Sequence, residues 1–379
     1  MNNQIIYKAF KTRIYPTDEQ IDYFNKCFNI SRYTYNWCLN LKELSFQNGN
    51  PLKLSQITAE FMQNRQDFVL EVNSRVYRHA ISNLKSSYDS WFKKNTKKPK
   101  FKKKKASIQS FSYDGRYIIE NDFEFYICGA NGKKGGNNKA KSYLKNGYVI
   151  KSAENIMFLK DKQKTQITIS YDGIHYHASF MYKEEITDVY NGHLYDTVGI
   201  DLGFKTFAVQ SDRKFINIRK NQIIKIEHKI KKLQSIMNNK QYNSNNYNKV
   251  KTKLKKCYNK MHCIKFDFLH KYSTWLCKTY KTIKIEDLNL EAMKKNKSTA
   301  KALNRSGIGY FIGMLHYKSQ IYNNNIVVID RWYASSKICN KCGNKKEDLK
   351  LSDRTYVCNK CGYVEDRDLN AAFNIRDFE

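Results

Sequence analysis

No apolar run in this 379-residue chain approaches the length needed to cross a bilayer. The opening residues, MNNQIIYKAFKTRIYP, also lack the apolar core of a signal peptide. Negative charge is the next scarcity: 35 Asp plus Glu stand against 68 Lys plus Arg, a formal net charge of +33. A polyanion is then the natural partner, because neutralising phosphates releases condensed counterions, and nucleic acid leads the candidates. A membrane-surface protein would share that charge, but it would need an amphipathic basic helix or a long apolar anchor. A disulfide framework is missing too. Four of the ten cysteines fall in two close pairs while Cys27, Cys38, Cys128, Cys257, Cys263 and Cys277 are scattered, which suits a reducing cytoplasm. With 41% hydrophobic residues, wholesale disorder is excluded, and the length allows two or three domains.

Along the chain, IIYKAFKTRIYP alternates Phe10, Thr12 and Ile14 with Lys11 and Arg13, a strand with one basic face that Pro16 ends. Thr17 followed by Gln20 is a capping box, with Asp18 and Glu19 in the first turn, so a helix is predicted there and helical readings continue to about residue 94. Residues 1–110 carry 20 basic and 8 acidic side chains. The run KKNTKKPKFKKKK, residues 93–105, holds nine lysines. A run of that charge cannot pack, and reads equally as a solvated linker or as a track for a phosphate backbone. CGANGKKGGNNKAKSYLKNG reads as a loop inside a β region, and TQITISYDGIHYHASFMY as a hairpin turning at Asp172-Gly173. His175 and His177 have the spacing of a metal site in single-strand-nicking enzymes. Strand alternation alone, however, puts both on one face of a half-polar sheet, which accounts for them without a metal.

From residue 195 the pattern becomes strand, tight turn, strand, turn, strand, the opening of an α/β layer. Ile223, Ile226, Ile230 and Leu233, then Val250, Leu254, Cys257 and Met261, repeat at helical spacing and predict a long basic helical hairpin. Residues 201–300 carry 24 basic and 7 acidic side chains. KTIKIEDL reads as a strand, residues 305–322 as a helix, NIVVIDRWY as a last strand, and the end of the chain as a helix.

Two patterns carry chemistry. CNKC at Cys339 and Cys342 recurs at Cys358 and Cys361, with fifteen residues between the pairs. Four thiolates on two such turns are what a tetrahedral structural zinc requires, and no ligand position is left open for catalysis. Asp201, Glu286 and Asp368 are the other candidates. Asp201 and Glu286 interrupt the apolar strands VGIDLG and IKIED, and Asp368 opens the last helix. A lysine or arginine partner would suit any one of them alone. Three acids on three elements of one sheet can instead converge on Mg²⁺, with two ions clamping the attacking and leaving oxygens of a phosphodiester.

GIDLGFKTFAVQSD, IKIEDLNLEAM, RWYASSKICNKCG and YVEDRDLNAAFNI resemble the nuclease segments of the TnpB (OrfB) family of insertion sequences, relatives of type V CRISPR effectors. YKAFKTRIYPTDEQ, RYTYNW and PKFKKKKASIQSFSY resemble it as well, so the likeness covers most of the chain. Residues 115–160 have no match, and Ile308 stands where the family pattern has tryptophan. The resemblance implies an RNase H-like RuvC nuclease domain, an α/β fold over residues 195–379 with a zinc ribbon inserted at 335–365. It further implies a β wedge domain at 1–17 and 111–190, and a helical recognition lobe with a basic linker at 18–110. Asp201, Glu286 and Asp368 would be catalytic and hold magnesium, with structural zinc on the four cysteines. The implied activity is guide-RNA-directed cleavage of double-stranded target DNA beside a short adjacent motif, by a monomer in its RNA complex. A nuclease-inactive relative would be expected to have lost acids of the triad, and a transposase on this fold would typically end it in Glu, not Asp368.

Overall fold

β1 (Gln4–Tyr15) follows the alternation read from the sequence: Ile6, Thr12 and Ile14 are buried, while Lys11 and Arg13 face outward. The computed structural model describes residues 4–104, 108–114, 117–129, 147–186, 190–218, 220–350 and 352–379. After Pro16 the capping box closes. The amide of Gln20 donates to Thr17 Oγ1 at 3.4 Å, and the amide of Thr17 donates to Gln20 Oε1 at 3.1 Å. These bonds satisfy amides that the first turn of a helix leaves unpaired, and α1 (Asp18–Gln47) runs on for 30 residues. α2 (Leu54–Asn64), a 3-10 turn at Asp67–Glu71 and α3 (Ser74–Phe92) complete the helical layer.

The strands that follow are β2 (Gln109–Asp114), β3 (Tyr117–Asn121), β4 (Glu124–Cys128), β5 (Gly147–Ser152), β6 (Gln163–Tyr171) and β7 (Tyr176–Ile186). With β1 they form one antiparallel sheet in the order β2-β6-β7-β1-β5-β4-β3. The helices pack on it through a shared core in which Phe24 and Phe28 of α1 meet Phe111 of β2 at ring-centroid distances of 5.7 and 5.3 Å. Residues 130–146, most of the Gly- and Asn-rich stretch read as a loop, lie outside the described residues. The hairpin turn spans Asp172 to His175, with Asp172 Oδ1 accepting from the amides of Ile174 and His175. His175 is thus in the turn, not beside His177 on the strand face.

The lysine run departs from its reading. Asn36 of α1 donates Nδ2 to the Lys102 carbonyl at 2.9 Å and accepts the Lys102 amide at 2.8 Å. Lys102 Nζ lies 4.0 Å from the Tyr35 ring centroid, and Lys98 pairs with Glu43. A run that repulsion should hold away from any surface is laid along α1, because a side-chain amide can pair its backbone and a tyrosine face can take its charge.

The chain divides into two compact units at residues 186 and 187. The second begins with β8 (Tyr195–Leu202), β9 (Ala208–Gln210) and β10 (Phe215–Ile216), an antiparallel meander. α4 (Lys220–Asn238) and α5 (Asn245–Thr279) follow as the helical hairpin, with Ile230 and Leu233 packed on Leu254 and Cys257. Next come β11 (Tyr280–Glu286), α6 (Leu290–Lys295), α7 (Lys297–Ser306), α8 (Ile308–Tyr322) and β12 (Asn325–Ile329). β8, β11 and β12 are parallel, in a five-stranded sheet ordered β10-β9-β8-β11-β12. Ile308, where the resemblance leads one to expect tryptophan, is buried in the core between this sheet and its helices. β13 (Thr355–Val357) and β14 (Val364–Asp366) form a small hairpin, and α9 (Arg367–Asp377) closes the chain across β8, β9 and β11.

Candidate active site and metal centre

β8 and β11 run parallel with Ile200 opposite Ile285, so Asp201 and Glu286 occupy the next positions on adjacent strands. Neighbouring strands in a sheet lie about 4.8 Å apart, which brings the two acids side by side. Asp368 arrives from α9. That helix can lie directly on β8 because residue 199 is glycine: a Cβ there would stand 2.2 Å from the Ala372 carbonyl oxygen and 2.3 Å from the Arg376 amide nitrogen. Val209, Leu369, Ala372 and Phe373 fill the rest of the contact.

The charges behave as one cluster. Asp201 is half-buried, and its pKa is pushed up to about 8, first by burial and then by Glu286 and Asp368, with Asp366 adding and Arg367 opposing. Glu286 is raised by burial, an effect countered by the hydroxyl that Ser335 donates to its Oε1. Among the described residues no lysine or arginine forms an ion pair with either acid, whereas Asp368 receives Arg367 Nη2 at 2.9 Å and has Arg354 at 3.8 Å. Half-buried carboxyls placed near one another without a full complement of cations are candidates to hold a hard divalent ion, although among the described residues they are not drawn together as closely as the four cysteines are.

The neighbouring acids take other work. Asp366 is the N-cap of α9, its Oδ1 accepting from the amides of Asp368 at 2.9 Å and Leu369 at 3.0 Å. Glu365 pairs with Arg213 at 2.8 Å. The cap had a signal in the sequence, an aspartate just ahead of a helical pattern. The Ser335 contact to Glu286 had none, since 49 residues separate them.

The four cysteines come together. Their sulfur atoms all lie within 4.8 Å of one another, with Cys339 to Cys361 and Cys342 to Cys358 each at 3.6 Å. Four sulfurs at about 2.3 Å from a tetrahedral zinc would be about 3.8 Å apart, so the set fits that ion. Both knuckles have the same build. The amides of Lys341 and Cys342 serve Cys339, those of Lys360 and Cys361 serve Cys358, and each turn is closed by a glycine at positive φ, Gly343 and Gly362. Among the described residues this is the one group of at least three metal-type side chains so assembled, and His175 and His177 belong to none. The ribbon is fastened to α9: Asn374 Nδ2 donates to the carbonyls of Ser335 at 2.7 Å and Ile338 at 2.6 Å, and Asn370 Nδ2 to Ile338 at 2.7 Å. The helix that carries Asp368, the loop that serves Glu286 and the cysteine centre are therefore one assembly.

Three protein-family models match the chain: a Cas12f1-like TNB domain at residues 309–375, an OrfB model described as probable transposase at 183–297, and an OrfB helix-turn-helix domain at 1–50. The described part of that last segment is one strand and one continuous helix. A putative RNA-guided DNA endonuclease of Streptomyces pristinaespiralis is 28% identical over 98% of this chain and 89% of its own length. The TnpB-like protein L79 of Acanthamoeba polyphaga mimivirus is 25% identical over 99% and 74%. In fold, the chain is similar to Cas12f1 from a complex with sgRNA and target DNA, with a TM-score of 0.63 over 98% of this chain and 99% of that one, at 15% identity.

Proposed function

This chain belongs to the TnpB (OrfB) family, and from that premise we propose that it is an RNA-guided DNA endonuclease that cuts double-stranded target DNA beside a short adjacent motif. The observation that carries the reading is the Asp201 carboxyl, its pKa pushed up to about 8 by burial and by Glu286 and Asp368 against the opposing Arg367, with no ion-pair partner among the described residues. In this reading residues 195–379 are a RuvC-type nuclease domain with the zinc ribbon at 335–365. The seven-stranded sheet is the wedge, and the helices of residues 18–110 are the recognition lobe. Guide RNA pairs with target DNA, and one chain acts per RNA complex.

Asp201, Glu286 and Asp368 would hold two magnesium ions, which supply an activated water and neutralise the leaving oxygen of the phosphodiester. The chain's own part is to fix the carboxylates. Asp201 and Glu286 are set by strand register, Asp368 by the capped start of α9, and the Ser335 hydroxyl orients Glu286. Arg367 and Arg354 hold Asp368 in place and lower the repulsion between the acids. Zinc on Cys339, Cys342, Cys358 and Cys361 would keep the ribbon folded and take no part in the chemistry.

The test is plasmid cleavage by protein carrying matched guide, scrambled guide or no RNA after RNase treatment, in magnesium. Cleavage should follow the guide, and Asp201→Ala, Glu286→Ala and Asp368→Ala should each abolish it while target binding persists. Equal cutting at the same sites without RNA would replace this reading with a protein-read nuclease or a transposase. Binding with no cleavage by the unaltered chain would make it a nuclease-inactive relative.

A further inference from the structure

The turn that follows Asp201 forms one wall of a cavity of about 490 Å³ that the proposed chemistry does not use. We propose that this cavity is a nucleobase pocket, which takes one base of the DNA strand whose phosphate lies at the carboxylates. The inference rests on the nuclease reading above and adds a contact that positions the strand.

The floor is apolar: Phe207 and Ile223 are buried there, 4% and 6% exposed. The rim is a different surface. Phe204 and Ile224, both apolar, are 42% and 39% exposed, and Lys205 and Arg305 stand with them. Among the described residues no acidic side chain lines the cavity. Arg305 is held beside it by an ion pair with Glu227 of α4, while Lys205 has no ion-pair partner among the described residues. The turn itself is braced, with the Gly203 amide donating to the Phe207 carbonyl at 3.2 Å and the Phe207 amide to the Ile216 carbonyl at 3.0 Å. Phe204 is therefore presented on fixed backbone three residues after Asp201.

A single exposed phenylalanine needs no explanation. Here it shares a rim with a second exposed apolar side chain and two cations, over a volume in the range of small-ligand sites. An occupant must be flat and apolar on one side and anionic on the other, and a nucleotide meets both demands. Stacking on an aromatic face is sequence-tolerant, which suits an enzyme whose sequence is read by base pairing elsewhere. The position also fits. The carboxylates repel a phosphate unless metal is bound, whereas Lys205, four residues after Asp201, and Arg305 attract one, so a strand gripped at the rim would be held beside the turn that carries the acid.

The experiment uses the protein with its guide RNA and a target DNA carrying 2-aminopurine at successive positions flanking the cut, in calcium to hold cleavage off. One position should be quenched on binding, with the quenching relieved in Phe204→Ala and kept in Phe204→Trp. In magnesium, Phe204→Ala should slow cleavage roughly tenfold, the scale of one lost base stack. An abasic site at the quenched position should slow the unaltered protein equally and the variant no further. Phe204 is exposed, so its truncation removes little buried surface. No Phe204-dependent quenching, a change in rate under about twofold, or additive effects of variant and abasic site would overturn the pocket. If quenching behaves as expected but no DNA is ever cut, the pocket stands and the nuclease reading falls.

Discussion

At the scale of single residues, Asp201 works against the fold that holds it. Its pKa is raised from the ordinary aspartate value to about 8, so the folded state binds its proton more tightly than the unfolded state does. The associated stability is present at low pH and is lost as pH rises from about 4 toward 8. Asp201→Asn removes that charge at nearly constant shape. In metal-free protein it should raise stability by a few kcal/mol at pH 8 and by almost nothing at pH 4, while abolishing cleavage. Thermal melts of both proteins across that pH range check this, and magnesium should raise the melting temperature of the unaltered protein far more than that of the variant. Equal melting at pH 8 would mean the three acids do not repel. Asp366 is a cap, which separates it from its neighbour Asp368. Asparagine caps as well as aspartate, so Asp366→Asn should lie within about 0.5 kcal/mol of the parent, whereas Asp366→Ala should cost about 1 kcal/mol in denaturant unfolding. Cleavage should survive Asp366→Asn; its full loss would move the metal-binding role from Asp368 to Asp366.

Among the elements, α9 decides whether the acids meet. Gly199→Ala places a methyl group against backbone atoms of Ala372 and Arg376, which cannot rotate away as a side-chain tip could. The helix must shift, at a cost of about 1–3 kcal/mol. Because Asp368 moves with it, cleavage should fall by on the order of a hundredfold, while guide binding holds. Near-normal cleavage by a stably folded Gly199→Ala protein would show that the helix position is not critical. Much of this layer was legible in the sequence: the Thr17 cap, the alternation in β1, the stripes of α4 and α5 and the paired cysteines are local patterns, each set by residues close in the chain. Gly199 was not, because in VGIDLG it reads as one more strand residue and its partner lies some 173 residues on. The Asn370 and Asn374 bonds to the ribbon were hidden for the same reason, and they carry a consequence. Stripping zinc with a chelator should loosen α9 and suppress cleavage although the proposed chemistry uses no cysteine. Zinc should be found at one ion per chain, and cleavage should return when it is restored. Full activity in zinc-free protein would uncouple the ribbon from the site.

For the whole molecule the governing fact is the charge of +33, which opposes compactness unless a polyanion covers it. The lysine run at residues 93–105 shows how the fold prepares for one. Repulsion should spread such a chain into solvent, yet Asn36, Tyr35 and Glu43 hold it along α1, while Lys97, Lys100 and Lys103 remain exposed. Held backbone with exposed ammonium groups would suit a phosphate track, since less freedom would be lost on RNA binding. Two substitutions separate position from charge. Asn36→Ala releases the run but leaves every lysine, so guide-RNA affinity should fall about threefold with the salt dependence unchanged. Replacing Lys97, Lys100 and Lys103 by Gln removes three phosphate contacts, so the slope of log affinity against log salt should become shallower by about 2 to 3. Filter binding of guide RNA across a salt series measures both. If the triple variant keeps the parent slope, the run is a solvated linker after all, and the guide must be held by the other lysines of the chain.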